Sequence, residues 1–233
     1  MKLNTRRVIE KEFEGRIDSQ LLKTSQECRA LATLKYIFPN QFNPVMLAEA
    51  PDLQDQEKNI GVEVTVAVKK NDMKATSAFC EYKKTDDKKR KELLLKKIDE
   101  SSSNVTTICN GIEVMISSGS LNEEAIYKEA LRRKIEKSEK YKQVVKQLFL
   151  VVIFPEIPSR ETEACLEQWT MDVITEREFD GVYVISERFF MHIDLLVEKV
   201  TKYNIEKEEN ELIRKIGRMT AEGEIKFSCE EWN

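Results

Sequence analysis

The residues best suited to chemistry lie in one short stretch of the chain, 49–68. It reads Glu49-Ala-Pro51-Asp52-Leu-Gln-Asp55, a polar turn, and then Ile60-Gly61-Val-Glu63-Val-Thr65-Val-Ala-Val68. The second half alternates valines with other residues, as a β-strand does, and it contains no Lys or Arg. Glu63 is the lone carboxylate of this apolar segment. A carboxylate in such surroundings must be paired, protonated or bound to a cation. Ten residues separate Asp52 from Glu63, enough for a tight turn and a return that sets the two acids side by side on adjacent strands. Two carboxylates, with a carbonyl oxygen and waters, suit Mg²⁺ or Mn²⁺. A cation held there would polarise a phosphodiester and lower the pKa of an attacking water. A simpler reading stands beside this one. An alternating strand is often half-exposed with its Glu in water, and Asp after Pro is ordinary turn chemistry.

The elements that must position these acids follow from periodicity. Residues 19–38 read as a helix, with Leu21, Leu22, Cys28, Leu31, Leu34 and Ile37 at helical spacing and Pro39 at its end. Residues 5–15 suggest a short separate helix, and Val45–Ala48 a first strand. Residues 71–118 have a different character. They hold a polar, largely helical stretch containing Lys88-Lys-Arg-Lys91, then a hairpin composition around Asn110-Gly111. They read as an insertion in a single domain whose core is 19–68 and 120–200, with a helical extension over 203–233. Ser120 and Glu123 form a capping-box pattern that opens a long charged helix to about 146. Leu148–Phe154 is apolar without a break, as in a central strand covered on both faces. Ser159 caps a helix carrying Ala164, Leu166, Trp169, Val173 and Ile174 on its buried side. Val182–Ile185 is a further buried strand, 189–197 an apolar segment of open type, and 205–219 a surface helix. The order predicts an α/β protein, a mixed sheet with helices on its faces.

Pro51-Asp52, followed by Gly61-Val-Glu63-Val-Thr65 in a strand, then a helix and an apolar strand, resembles the PD-(D/E)XK phosphodiesterase superfamily. The resemblance covers 19–68 and 120–186 in element order. It implies a restriction-endonuclease-like fold with an inserted helical and hairpin segment, and hydrolysis of phosphodiester bonds with Mg²⁺ or Mn²⁺. It implies Asp52 and Glu63 as metal ligands, and a third acid from the first helix, for which Glu27 is the candidate and Glu12 and Glu49 are alternatives. The chain departs from the family pattern at one position. The lysine expected two residues after the strand acid falls on Thr65, which cannot supply positive charge to a transition state. Some members carry that lysine on the following helix, where this chain offers Lys134 and Lys137, with Arg132, Arg133, Lys140 and Lys142 nearby. For any one of these cations, an exposed helix laced by i,i+4 pairs is the competing reading.

Composition narrows the alternatives. The chain has 233 residues and a formal net charge of −4, which argues against a wholly basic nucleic-acid coat but not against local basic surfaces. Residues 83–97 and 128–146 are such basic runs, with Tyr82, Tyr127 and Tyr141 among them as candidate stacking residues. Nucleic acid, DNA ahead of RNA, is therefore the expected partner. Both runs also carry acids, so solvated helices are the plain reading. His192 is the only histidine, which excludes two-histidine metal motifs and is expected to be packed and hydrogen-bonded. No GxxxxGK[ST] or GxGxxG loop occurs. The five scattered cysteines, the lack of an apolar leader and the absence of a run near 20 apolar residues predict a cytoplasmic protein without a membrane span. Two rival readings are a nuclease-fold module that has lost the reaction, and an unrelated α/β protein in which the strands bearing Asp52 and Glu63 are not neighbours.

Overall fold

The computed structural model describes residues 19–101, 103–108, 112–117, 122–155 and 157–224. The sequence features at 5–15, Glu12, Asn110-Gly111 and Ser120 lie outside them. Among the described residues the chain forms two compact units, one of 24–67 and 123–224, the other of 19–23 and 68–122.

The first unit is a mixed seven-stranded sheet flanked by helices. Its elements are α1 (Ser19–Ile37, from Thr24 on), α2 (Pro39–Phe42), β1 (Val45–Leu47), β2 (Leu53–Asp55) and β3 (Ile60–Val66), before 68–122 of the second unit. The second unit contributes α3 (Lys70–Lys84), α4 (Lys88–Glu100), β4 (Ser103–Ile108) and β5 (Ile112–Ser117). The first unit then resumes with α5 (Glu123–Lys142), β6 (Gln147–Ile153), α6 (Arg160–Met171), β7 (Gly181–Ile185), β8 (Phe189–Asp194), β9 (Lys199–Asn204) and α7 (Lys207–Ala221). The sheet order is β1-β2-β3-β6-β7-β8-β9. The three central strands, β3, β6 and β7, run parallel, and antiparallel pairs flank them on both sides.

Alternation along β6 divides the core. Leu148, Leu150 and Val152 face Tyr127, Ala130 and Leu131 of α5 and Leu166 of α6. Phe149, Val151 and Ile153 face Ala30, Leu31 and Leu34 of α1 and Ile213 and Ile216 of α7. An unbroken apolar run is what a strand covered on both faces requires. Val62 and Val64 of β3 lie on the α1 side, so period-two alternation turns Glu63 and Thr65 toward α5. All but the last residue of β3 are buried. The half-exposed strand of the simpler sequence reading is therefore replaced by a covered one, because α5 lies over the face that carries Glu63.

Other differences have local causes. The segment 53–55, which carries no strand signal in the sequence, is β2, held in place by pairing with both β1 and β3. Of the 189–197 segment, Phe189–Asp194 is β8, and a charged edge strand, β9, follows after a turn. Helix α7 is not a surface helix on every side, since Ile213, Ile216 and Met219 are buried. Ser159 does cap α6, its hydroxyl accepting from the Thr162 N–H at 3.1 Å.

His192 pairs with Tyr183 across β7 and β8. The rings stack with centroids 4.4 Å apart, and Phe38 meets the imidazole edge-on at 5.8 Å. The histidine is packed as expected from sequence, and its Nε2 is buried without a hydrogen-bond partner, set over Gly181, where a Cβ would lie 3.1 Å from it. Burial holds the imidazole below its usual pKa of 6.5, with Asp194 partly offsetting the effect. The folded state thus binds fewer protons at this site than the unfolded chain, so stability falls as pH drops from 6.5 toward the folded value. His192→Gln is expected to give a shallower loss of stability than wild type across that window, measured by urea unfolding at stepped pH. Equal pH slopes for the two proteins would contradict the assignment.

Candidate active site

Asp52 and Glu63 are brought together by the β2–β3 ladder. Leu53 pairs with Val62 and Gln54 with Gly61, and one further step in that register sets Asp52 opposite Glu63. The approach depends on Gly61. A Cβ there would lie 2.7 Å from Pro51 Cγ and 2.9 Å from a Val145 methyl, so only glycine lets Pro51, and Asp52 with it, lie close against β3. Asp52 stands where β2 gives out, and its Oδ2 accepts the Val64 N–H at 2.8 Å. The side chain thereby supplies an acceptor for a strand amide that β2 does not reach.

The cation at this site comes from α5. Lys134 Nζ donates to Asp52 Oδ2 at 3.1 Å and forms an ion pair with Glu63 Oε2. The Glu63 side chain is 1 % exposed, Asp52 9 % and Lys134 15 %. The neighbouring residue fixes this turn of α5 to the same strand, since Arg133 Nη2 donates to the Val66 carbonyl at 3.0 Å. Lys134 falls on the buried stripe of α5 formed by Tyr127, Ala130, Leu131, Ser138 and Tyr141, so helical periodicity aims it at the sheet. Lys137 is exposed and is not the lysine brought to the carboxylates. Thr65 is buried on the same side of β3 as Glu63, and the positive charge reaches this space from the helix instead.

The three charges do not cancel. Two carboxylates and one ammonium leave a formal −1 in a covered site, and Glu63 Oε1 is buried with no hydrogen-bond donor. A buried carboxylate oxygen without a donor is an uncompensated acceptor, and Asp52 with Glu63 would offer Mg²⁺ or Mn²⁺ the oxygen donors that such hard cations take. Glu27 is half-buried on α1 and Glu49 is exposed in the loop after β1. Among the described residues no group of three or more His, Cys, Asp or Glu side chains is gathered as for a metal ion, so Glu27 does not stand with Asp52 and Glu63 in such a cluster.

Gln54 is a residue that sequence reading passed over. Leu53 faces the α1 core, so alternation turns Gln54 to the side of Glu63, and its Nε2 is buried without an acceptor. A polar residue in so short a stretch gave no sign of this. Cys28, in contrast, offers no nucleophile. Burial, with Glu27 second, pushes its thiol up to about 12. Among the described residues no helix is long and apolar enough to cross a membrane.

The fold and site define a mixed α/β protein with a buried Asp–Glu–Lys centre on its sheet. Comparison with protein-family models, with curated proteins and with solved structures gives no match.

Proposed function

We propose that the chain is a metal-dependent phosphodiesterase of the restriction-endonuclease-like type that hydrolyses nucleic acid. The observation that carries this reading is Lys134, whose amine reaches both Asp52 and Glu63 in a chain whose strand position for such a lysine is Thr65. The order α, three strands, α, strand in the first unit supports the same assignment, as does the alignment of the two acids across β2 and β3.

In this reading Asp52 and Glu63 hold Mg²⁺ or Mn²⁺, which when bound polarises the phosphodiester and acidifies a water. Lys134 has three N–H donors and gives two of them to the carboxylates. The third is left to orient a water or a phosphate oxygen, and its charge opposes the negative charge that grows on phosphorus oxygens in the transition state. Arg133, bonded to Val66, holds α5 in register so that Lys134 keeps this position. The burial of Asp52 and Glu63, with Lys134 half-buried beside them, keeps their fields strong.

Incubating the protein with DNA and RNA in Mn²⁺, beside a Glu63→Ala variant, tests the assignment. Wild type is expected to cleave one or both substrates and the variant neither. Equal cleavage by the two proteins would sink the catalytic role, and no cleavage by either would favour a nuclease-fold module that binds without reacting.

A further inference from the structure

We infer that the α3–α4 hairpin of the second unit is a sequence-independent contact surface for the phosphate backbone of nucleic acid. This rests on the nuclease reading only in taking nucleic acid as the polyanion. Residues 83–97 carry eight Lys and Arg against three Asp and Glu, on a chain whose formal net charge is −4. Lys83, Lys84, Lys88, Lys89, Lys96 and Lys97 are exposed. The placement of these charges is as telling as their number. The first turn of α4 is Lys88-Lys89-Arg90-Lys91, with no acid among them. A helix N-terminus carries partial positive charge and disfavours cations. Asp87 caps the turn by accepting from the Lys89 and Arg90 N–H groups, and Arg90 pairs with Glu81, yet the turn remains strongly cationic. Four cations in the one turn that repels them break a local stability rule, and such breaches concentrate where function demands them.

The chemistry of the hairpin selects the kind of polyanion. Leu94 and Ile98 of α4 are buried against Ala75, Ala78 and Tyr82 of α3. A helix that lies on a membrane needs its apolar face free to enter the lipid, and here Leu94 and Ile98 are spent on α3, which leaves Leu93 as the one exposed large hydrophobic of α4. The cations over 83–97 are seven lysines and one arginine. Lysine acts as a point charge, without the bidentate fork that arginine uses for planar recognition. Such a surface tracks phosphates and leaves base edges unread.

The test is fluorescence anisotropy of labelled mixed-sequence duplex DNA and single-stranded RNA, in EDTA, with the whole chain. Wild type is compared with a triple Lys84→Gln, Lys88→Gln, Lys89→Gln variant, at salt from roughly 50 to 200 mM. Glutamine keeps helix propensity close to that of lysine. The triple variant is expected to bind about tenfold more weakly or worse, with a duplex salt slope shallower by about 0.9 for each phosphate that is no longer neutralised. Its melting temperature should be no lower than that of wild type, because two cations leave a helix N-terminus. Equal affinity and slope for wild type and the triple variant would overturn the inference. So would a fall in the triple variant's melting temperature that accounts for its weaker binding, or binding to phosphatidylserine vesicles with none to either nucleic acid. Since EDTA removes the metal chemistry, a protein that binds through the hairpin but never cleaves would overturn the nuclease reading alone.

Discussion

Replacing Lys134 by methionine is expected to destabilise the protein by about 3–5 kcal/mol in EDTA, the usual cost of removing one partner from a buried ionic group. Methionine is close to lysine in volume and helix propensity, so the loss isolates the charge. In wild type the ammonium reaches Asp52 Oδ2 and Glu63 Oε2. Without it, two covered carboxylates face each other with no cation between them, and like charges at close range in a poorly solvated site repel strongly. Chemical denaturation in EDTA reads this loss directly. Added Mn²⁺ should restore much of it, because a cation at the two acids replaces the missing charge and ligand binding stabilises by mass action. A variant as stable as wild type in EDTA would show that the three side chains do not form an energetic unit.

Glu63→Gln has the opposite pattern. It removes one negative charge from a trio that carries a formal −1, keeps the side-chain volume, and leaves an amide oxygen able to accept from Lys134. In wild type Glu63 Oε1 has no donor, so no hydrogen bond is lost at that atom. Stability in EDTA is therefore expected to stay within about 1 kcal/mol of wild type. Mn²⁺-dependent cleavage should fall by roughly 10²–10³, the scale on which removing one pre-set electrostatic group acts at an active site. The stabilisation that Mn²⁺ gives wild type should vanish as well. A variant that is neutral for folding and severe for metal-dependent behaviour marks a site kept for function at the expense of compensation. A large stability loss with cleavage intact would assign Glu63 to structure.

Much of this arrangement is legible in the sequence, and its gaps have physical causes. The uninterrupted run from Leu148 to Ile153 specifies a buried central strand, and β6 is that strand. Alternation over 60–66 specifies β3, while its cover is a tertiary property, since a half-exposed and a covered strand share the pattern until α5 is laid upon one face. Segment β2 has three residues, two of them polar, and exists because neighbours on both sides supply its hydrogen bonds. Local propensity carries no such information. The edge strand β9 is similarly masked by Lys199 and Lys202, charges that guard a sheet edge.

The choice between Lys134 and Lys137 illustrates a signal that was available. Lys134 lies three and four residues from Leu131 and Ala130 and four from Ser138, all buried on α5, so it interrupts the helix's inward stripe. Lys137 lies off that stripe and is exposed. A lysine on a buried stripe needs an acid opposite it, and β3 provides one. Glu27 shows the reverse limit. Its helical phase is compatible with the sheet side of α1, but whether a side chain joins two others depends on strand and helix placement that spacing does not encode.

The central claim is that Asp52, Glu63 and Lys134 form one divalent-cation centre, and calorimetric titration of Mn²⁺ into metal-free protein measures it most directly. Binding at this site by wild type, lost in Glu63→Gln while that variant remains folded, is the result predicted. Identical titration curves for the two proteins, or no heat of binding from wild type, would contradict it.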